Sequence, residues 1–183
     1  YSKENNNTVL DGGINEMYLD KDGNVFLSFK GGVVIINNDG LQRHEFSDQM
    51  GNYHLSDISC FIETGAGEFW VGSKKHGLYR LDKNNMSVIK HYTLDKTNKQ
   101  SFSSSVVFTL YEDKNKILWV GTGGDGLYRY NPKSDGFIRY TIADGLPSNT
   151  ILTLQEDNTG QLWIGTRNGL SRLNVENPAF TNF

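Results

Sequence analysis

Four aromatic residues, Phe26, Trp70, Trp119 and Trp163, stand 44 to 49 residues apart, and one pattern surrounds each of them. Twelve positions earlier come Ile14, Ile58, Val107 and Ile151, and seven earlier come Leu19, Glu63, Glu112 and Glu156. Two positions later come Ser28, Gly72, Gly121 and Gly165. Six or seven later come Gly32, Gly77, Gly126 and Gly169, each followed by an aliphatic residue. Phe46, Tyr92, Tyr140 and Phe183 close the pattern twenty to twenty-two positions after the anchors. A period of this length marks a stacked repeat, in which each unit buries its apolar face only against a neighbour.

The repeats run approximately over 2–46, 47–92, 93–140 and 141–183, within one domain covering 1–183. Each reads as four short strands, expected in the last copy at about 151–156, 162–166, 170–174 and 179–183. The stretch DNTG (157–160) has turn composition, and RNG (167–169) suits a tight hairpin. No segment of about ten residues or more carries a helical period. The second strand is apolar on both faces, with Leu118 and Val120 on one and Trp119 on the other. Such a strand belongs to a sheet covered on both sides. Four-stranded antiparallel sheets stacked face to face around an axis meet that demand, so the fold class is all-β, with one β-propeller blade per repeat. The glycine two positions after each tryptophan fits a place where the next blade comes close. An aromatic content of 12 %, with 20 glycines and only 3 prolines, suits short strands and tight turns.

Composition also excludes several classes. The net charge is −3 and no basic cluster exceeds Lys74–Lys75, so the chain lacks the cationic face that nucleic acid requires. No segment approaches the ~18 apolar residues of a membrane helix. The single cysteine, Cys60, rules out an internal disulfide and a cysteine-based zinc site, and its apolar surroundings suggest a small buried hydrophobe. No metal site and no cofactor are expected.

The runs LWVGTGGDGLYRYN (118–131) and QLWIGTRNGLSRLN (161–174), each after a first strand ending in ED, resemble the two-component-regulator propeller repeat, as does the connector DGLPSN (144–149). The resemblance spans all four units, strongly in the last three and weakly in the first, where Phe26 and Ser28 replace Trp and Gly. It implies the extracytoplasmic, periplasmic sensor region of a bacterial hybrid two-component histidine kinase of the Bacteroidetes type. It further implies a non-enzymatic role in detecting an oligosaccharide or other small ligand, with the signal passed to a kinase and phosphorelay outside this chain. The expected partners are then the ligand and the other blades and domains of the longer sensor. Tyr1 and Phe183 look like equivalent outer-strand residues, so the chain is expected to be a partial propeller cut from that sensor. Its apolar end faces would then favour self-association. The alternative is a structural or protein-binding propeller, and a lower one is a propeller glycan hydrolase or lyase.

Three copies share Glu63, Glu112 or Glu156, a tryptophan, and Arg80, Arg129 or Arg172; the first copy has none of the three. Residues kept or lost together read as scaffold. Each arginine is expected to lie over its tryptophan, worth about 0.5–2 kcal/mol, and to share charge with the glutamate. The turn DKDGN (20–24) resembles the opening of a calcium loop but sits where the other copies have a hairpin turn. The histidines His44, His54, His76 and His91 have no metal-binding spacing, and His44 and His91 are expected to face solvent on outer strands. No catalytic residue stands out.

What does not repeat is the set of second-to-third-strand hairpins and blade-to-blade connectors, which share one face of a propeller. Function concentrates on such loops above a rigid scaffold. The candidate ligand-binding residues are Tyr53, His54, Lys74, Lys75, His76, Asp125, Arg167 and Asn168. They combine donors, acceptors and an aromatic ring, which suits a sugar. Gly121, Gly123 and Gly126 also spell the G-x-G-x-x-G of a dinucleotide loop. The outer two glycines recur in other copies and a strand follows instead of a helix, so the pattern is read as blade architecture.

Overall fold

A computed structural model describes residues 13–29, 32–45, 57–93 and 100–183. Sixteen strands form four antiparallel sheets of four, each in simple up-and-down order. The first holds β1 (Glu16–Leu19), β2 (Val25–Phe29), β3 (Gly32–Asn37) and β4 (Gly40–Glu45). The second holds β5 (Ile58–Glu63), β6 (Phe69–Ser73), β7 (Leu78–Leu81) and β8 (Val88–Tyr92). The third holds β9 (Val107–Glu112), β10 (Leu118–Thr122), β11 (Leu127–Asn131) and β12 (Gly136–Tyr140). The fourth holds β13 (Ile151–Glu156), β14 (Gln161–Thr166), β15 (Gly169–Asn174) and β16 (Ala179–Asn182). Among the described residues the one helical element is a single 3-10 turn, Ile142–Asp144, in the connector before β13. The first strands pack in series, β1 on β5, β5 on β9 and β9 on β13, which is the stacking of propeller blades.

The glycines after Trp70 and Trp119 set the spacing of the last three blades. A Cβ built on Gly72 would lie 2.5 Å from Val107 Cγ1, and one on Gly121 would lie 2.8 Å from Ile151 Cγ2. Val107 and Ile151 each belong to the first strand of the following blade, so the expected close approach is present. Its consequence is burial of the anchor. Trp70 and Trp119 are fully buried, Trp70 among Phe102, Val107 and Leu118 and Trp119 among Ile151, Leu162 and Leu173. Each tryptophan thus fills the seam to the following blade. Trp163, in the last described blade, is half-buried and has Phe183 stacked on it at 5.5 Å.

The arginines lie over the tryptophans. Arg80, Arg129 and Arg172 are cross-strand partners of Trp70, Trp119 and Trp163, with guanidinium carbons 5.7, 5.9 and 5.7 Å from the ring centroids. The expected charge sharing with Glu63, Glu112 and Glu156 is not found. These carboxylates turn towards the preceding blade. Glu112 accepts from the Gly65 amide at 2.8 and 2.9 Å, and Glu156 accepts from the Lys114 amide at 2.8 Å. Glu63 instead pairs with Lys21 of the preceding blade at 3.1 Å and with Lys83 of its own at 3.0 Å. The physical reason is position: each glutamate ends its first strand beside a neighbouring turn whose amides need acceptors.

The turns between first and second strands also hold the anchors. Asp113 Oδ1 accepts from the Asn115 and Ile117 amides, while its Oδ2 accepts from Trp119 Nε1 at 2.8 Å. Asp157 does the same for Thr159, Gln161 and, at 2.7 Å, Trp163. In the second blade Thr64 occupies this place and Glu68 takes the Trp70 indole instead, at 3.2 Å. Asp20, which faces no tryptophan, bonds the Asp22 and Asn24 amides and the Asn24 side chain. The DKDGN stretch is therefore a hairpin turn whose lead carboxylate is already engaged. Cys60 is buried, and burial raises its thiol pKa to about 12, so it is an inert core residue.

One seam carries a polar cluster that repeat spacing alone does not reveal. Asp135 of the third blade pairs with Lys90 and accepts from the Tyr92 and Tyr130 hydroxyls, both at 2.7 Å. Arg80 stands 3.8 Å from Asp135 Oδ1 and 3.2 Å from Glu68 Oε1. Burial opposes the charge on Asp135, but these donors outweigh it and hold the carboxyl down to about 2. A depressed carboxyl contributes stability above its unfolded value near 3.8, and that contribution fades as pH falls towards about 2. Acid titration of folding stability should show this loss in the parent and not in Asp135→Asn, which should itself cost about 1–3 kcal/mol at neutral pH. Trp119→Ala should cost about 3–5 kcal/mol and Gly121→Ala about 1–3 kcal/mol in denaturant unfolding. A Gly121→Ala variant as stable as the parent would show that the blades can move apart freely.

Candidate functional site

The hairpins between second and third strands are fixed at both ends. A buried hydroxyl three positions after each tryptophan organises the loop. Ser73 Oγ accepts from the Lys75 and His76 amides at 3.2 Å each. Thr122 Oγ1 accepts from the Asp125 amide at 3.0 Å and donates to the Gly126 carbonyl at 2.7 Å. Thr166 does the same for Asn168 and Gly169. These hydroxyls stand at a fixed offset from the anchors, a signal that reasoning from the loops alone overlooks.

Backbone bonds then tie the hairpins of the second and third blades to the connectors on either side, and that of the fourth to the connector before it. The Lys74 amide donates to the Asp57 carbonyl and the Gly77 amide to Ser105. Gly123 donates to Val106, Gly126 to Asn149 and Arg167 to Thr150. Hairpins and connectors therefore form one continuous face. The same bonds dispose of the dinucleotide pattern. The amides of Gly123 and Gly126, which a phosphate would need, already serve protein carbonyls, and β11 follows directly.

Six of the candidate residues are described, and all lie in the hairpins of this face. Tyr53 and His54 lie outside the described residues. Lys74, Lys75 and His76 are exposed, as are Arg167 and Asn168. Lys75 pairs with Asp57 at 2.8 Å. Asp125 is held by Arg139, which donates Nε–H to its carbonyl and pairs with its carboxylate at 3.4 Å. Of the described candidates, Lys75 and His76 meet in one cavity. That cavity is about 330 Å³, and His91, Tyr92, Thr93 and Ser103–Ser105 also line it; the Ser103 hydroxyl bonds the Tyr128 hydroxyl and the Ser104 hydroxyl the Val106 carbonyl. Asp125 and the Arg167–Asn168 pair belong to the neighbouring hairpins and do not line it.

His91 differs from its expected solvent-facing role. Its ring stacks on Tyr79 at 4.0 Å with the planes 2° apart. Its Nε2 lies 2.6 Å from the His76 carbonyl, and since a carbonyl can only accept, Nε2 carries the proton. Burial lowers the imidazole pKa, against the opposite pull of that hydrogen bond. His91 is thus a neutral strut under the His76 loop. His44 lies on β4, where its side chain is outside the described residues.

Stacked blades, repeated seam fillers and one face of non-repeating loops define a β-propeller segment. Residues 101–124 and 145–168 match the family model described as two component regulator propeller. These two stretches belong to that repeat family. Over 139 residues, 71 % of the chain, it is 38 % identical to histidine kinase P4 of Formosa agariphila, of which it covers 10 %. It is similar in fold, at a TM-score of 0.78 and 19 % identity, to the extracellular domain assigned to hybrid two component system BT3049 of B. thetaiotaomicron. That match covers 93 % of this chain and 24 % of that one. PorZ, a surface component of the type-IX secretion system of Porphyromonas gingivalis, shares the fold at a TM-score of 0.69 and 21 % identity, over 86 % of this chain and 25 % of its own. The chain therefore spans a quarter or less of these relatives. No helix among the described residues is long and apolar enough to cross a membrane.

The stacked geometry of His91 gives a direct check. Its ring protons should titrate below the ordinary imidazole range in NMR, and Tyr79→Ala should move that midpoint back up. An unshifted midpoint in the parent would remove the strut.

Proposed function

We propose that this chain is part of the extracytoplasmic, ligand-sensing region of a hybrid two-component receptor, and that it performs no catalysis itself. The observation that carries this reading is the match of its repeats to the two component regulator propeller, together with a histidine kinase relative. The ligand site lies on the loop face, in the cavity that Lys75 and His76 share with the Ser103–Ser105 run. The Lys75 ammonium, the His76 imidazole and the exposed Ser105 beside Tyr92 suit a polyhydroxylated ligand, an oligosaccharide above all. A ligand biases signalling only through unequal affinity for two states, so the seam between the second and third blades, which this cavity adjoins, is where occupancy would act.

Calorimetry of the longer extracytoplasmic region against a panel of neutral oligosaccharides tests this. At least one should bind saturably, and His76→Ala with Lys75→Ala should weaken it about tenfold or more, the range expected for losing hydrogen bonds to charged groups. No sugar binding, with a protein captured on the same loops, would favour a protein-docking propeller instead.

A further inference from the structure

The three seams between blades differ in one pair of positions. In the first two, the residue cross-strand from the anchor meets the sixth residue after the corresponding arginine of the next blade; in the third the same pair is read from the repeat alignment. In the first seam the pair is Ile35 and Met86, which share one apolar cluster. In the second it is Arg80 and Asp135, joined as described, with Glu68 completing the neutralisation. In the third, Arg129 stands where Arg80 does, but Pro178 occupies the place of Asp135 and Ile117 that of Glu68. Lys90, which pairs with Asp135, is matched by Ile138, the cross-strand partner of Arg129.

Arg129 is thus a guanidinium with its counter-charges removed. Its buried Nε has no hydrogen-bond partner, as is also true of Arg80, but whereas Arg80 Nη1 reaches Glu68, Asp135 and the Tyr130 hydroxyl, no described residue gives any nitrogen of Arg129 an acceptor. The stacked Trp119 ring holds the group in place without supplying one. Beside it lies a cavity of about 300 Å³, which Arg129 lines together with Ile117, Asn131, Lys133 and Ile138. The cavity lies towards the turn end of the blade, away from the loop face.

We propose that this cavity binds a small carboxylate, about the size of a hexuronic acid, whose carboxylate takes the place at Arg129 that Asp135 and Glu68 fill at Arg80. The planar fork of arginine matches a carboxylate in two contacts, and Lys133 adds a second positive charge at the rim. Ile117 and Ile138 offer an apolar wall to the remainder of the molecule. This site goes beyond the sensing site on the loop face and shares no residue with it.

Calorimetry at fixed ionic strength, with sodium glucuronate as the probe and glucose as its neutral control, tests the assignment. Glucuronate should bind at one saturable site and glucose should not bind there. Arg129→Gln should weaken glucuronate at least about tenfold, since a hydrogen-bonded charge pair is lost. Ile117→Glu supplies in the chain the carboxylate that the second blade has at Glu68. It should therefore abolish glucuronate binding while raising the unfolding temperature, which keeps the test decisive if Arg129→Gln does not fold. Absence of saturable glucuronate binding to the parent, or binding unchanged in a folded Arg129→Gln or in Ile117→Glu, would overturn the proposal.

Discussion

The close passage of a glycine backbone beneath the first strand of the next blade governs this structure. Gly72 under Val107 and Gly121 under Ile151 leave no room for a single methyl group. That distance decides how far each tryptophan can reach, and so why Trp70 and Trp119 lie wholly inside seams and not on a surface. It also brings the end of each first strand beside the neighbour's turn, where Glu112 and Glu156 find amides to bond. The arginines follow in turn, because a buried indole face is the one flat apolar surface on which a guanidinium can rest while keeping its edges polar.

Much of this was legible in the amino-acid sequence, because a repeat aligns a chain with itself. The anchors, the approach glycines and the four-strand unit recur at fixed offsets, and the arginine–tryptophan stack follows from cross-strand pairing. The partners across seams were not legible. Glu112 bonds a backbone amide, which has no identity in sequence, and Asp135 reaches Arg80 from 55 positions away. The turn residues show the same difficulty. Thr64 replaces an aspartate, and the loss is made good by Glu68, four positions on, a substitution visible only once the indole hydrogen is traced.

The loop face was legible as a place and not as a site. Its residues were found by their failure to repeat, which marks freedom from scaffold duty and nothing more specific. The structure gathers Lys75 and His76 at one cavity and leaves Asp125, Arg167 and Asn168 on adjoining hairpins. Hydroxyls at Ser73, Thr122 and Thr166 hold the hairpins of the last three blades, so variation in those loop tips rides on a common frame. The fold is shared by the extracellular domain of a hybrid two component system and by a secretion-system component, so function has to be argued from the tips and not from the fold.

The seams themselves have a further meaning. At the position facing the anchor's cross-strand partner, the first seam is apolar, the second joins opposite charges, and the third aligns a cation with a proline. Blades that look interchangeable in outline are therefore addressed to particular neighbours. A second blade set against the fourth would bring Arg80 to Pro178, and a first set against the third would bring Ile35 to Asp135, an unpaired acid against an aliphatic side chain. Such mismatches work against shuffled orders during folding, as unlike charges and polar positions do between coiled-coil strands. The order of the blades is written into the surfaces where they meet.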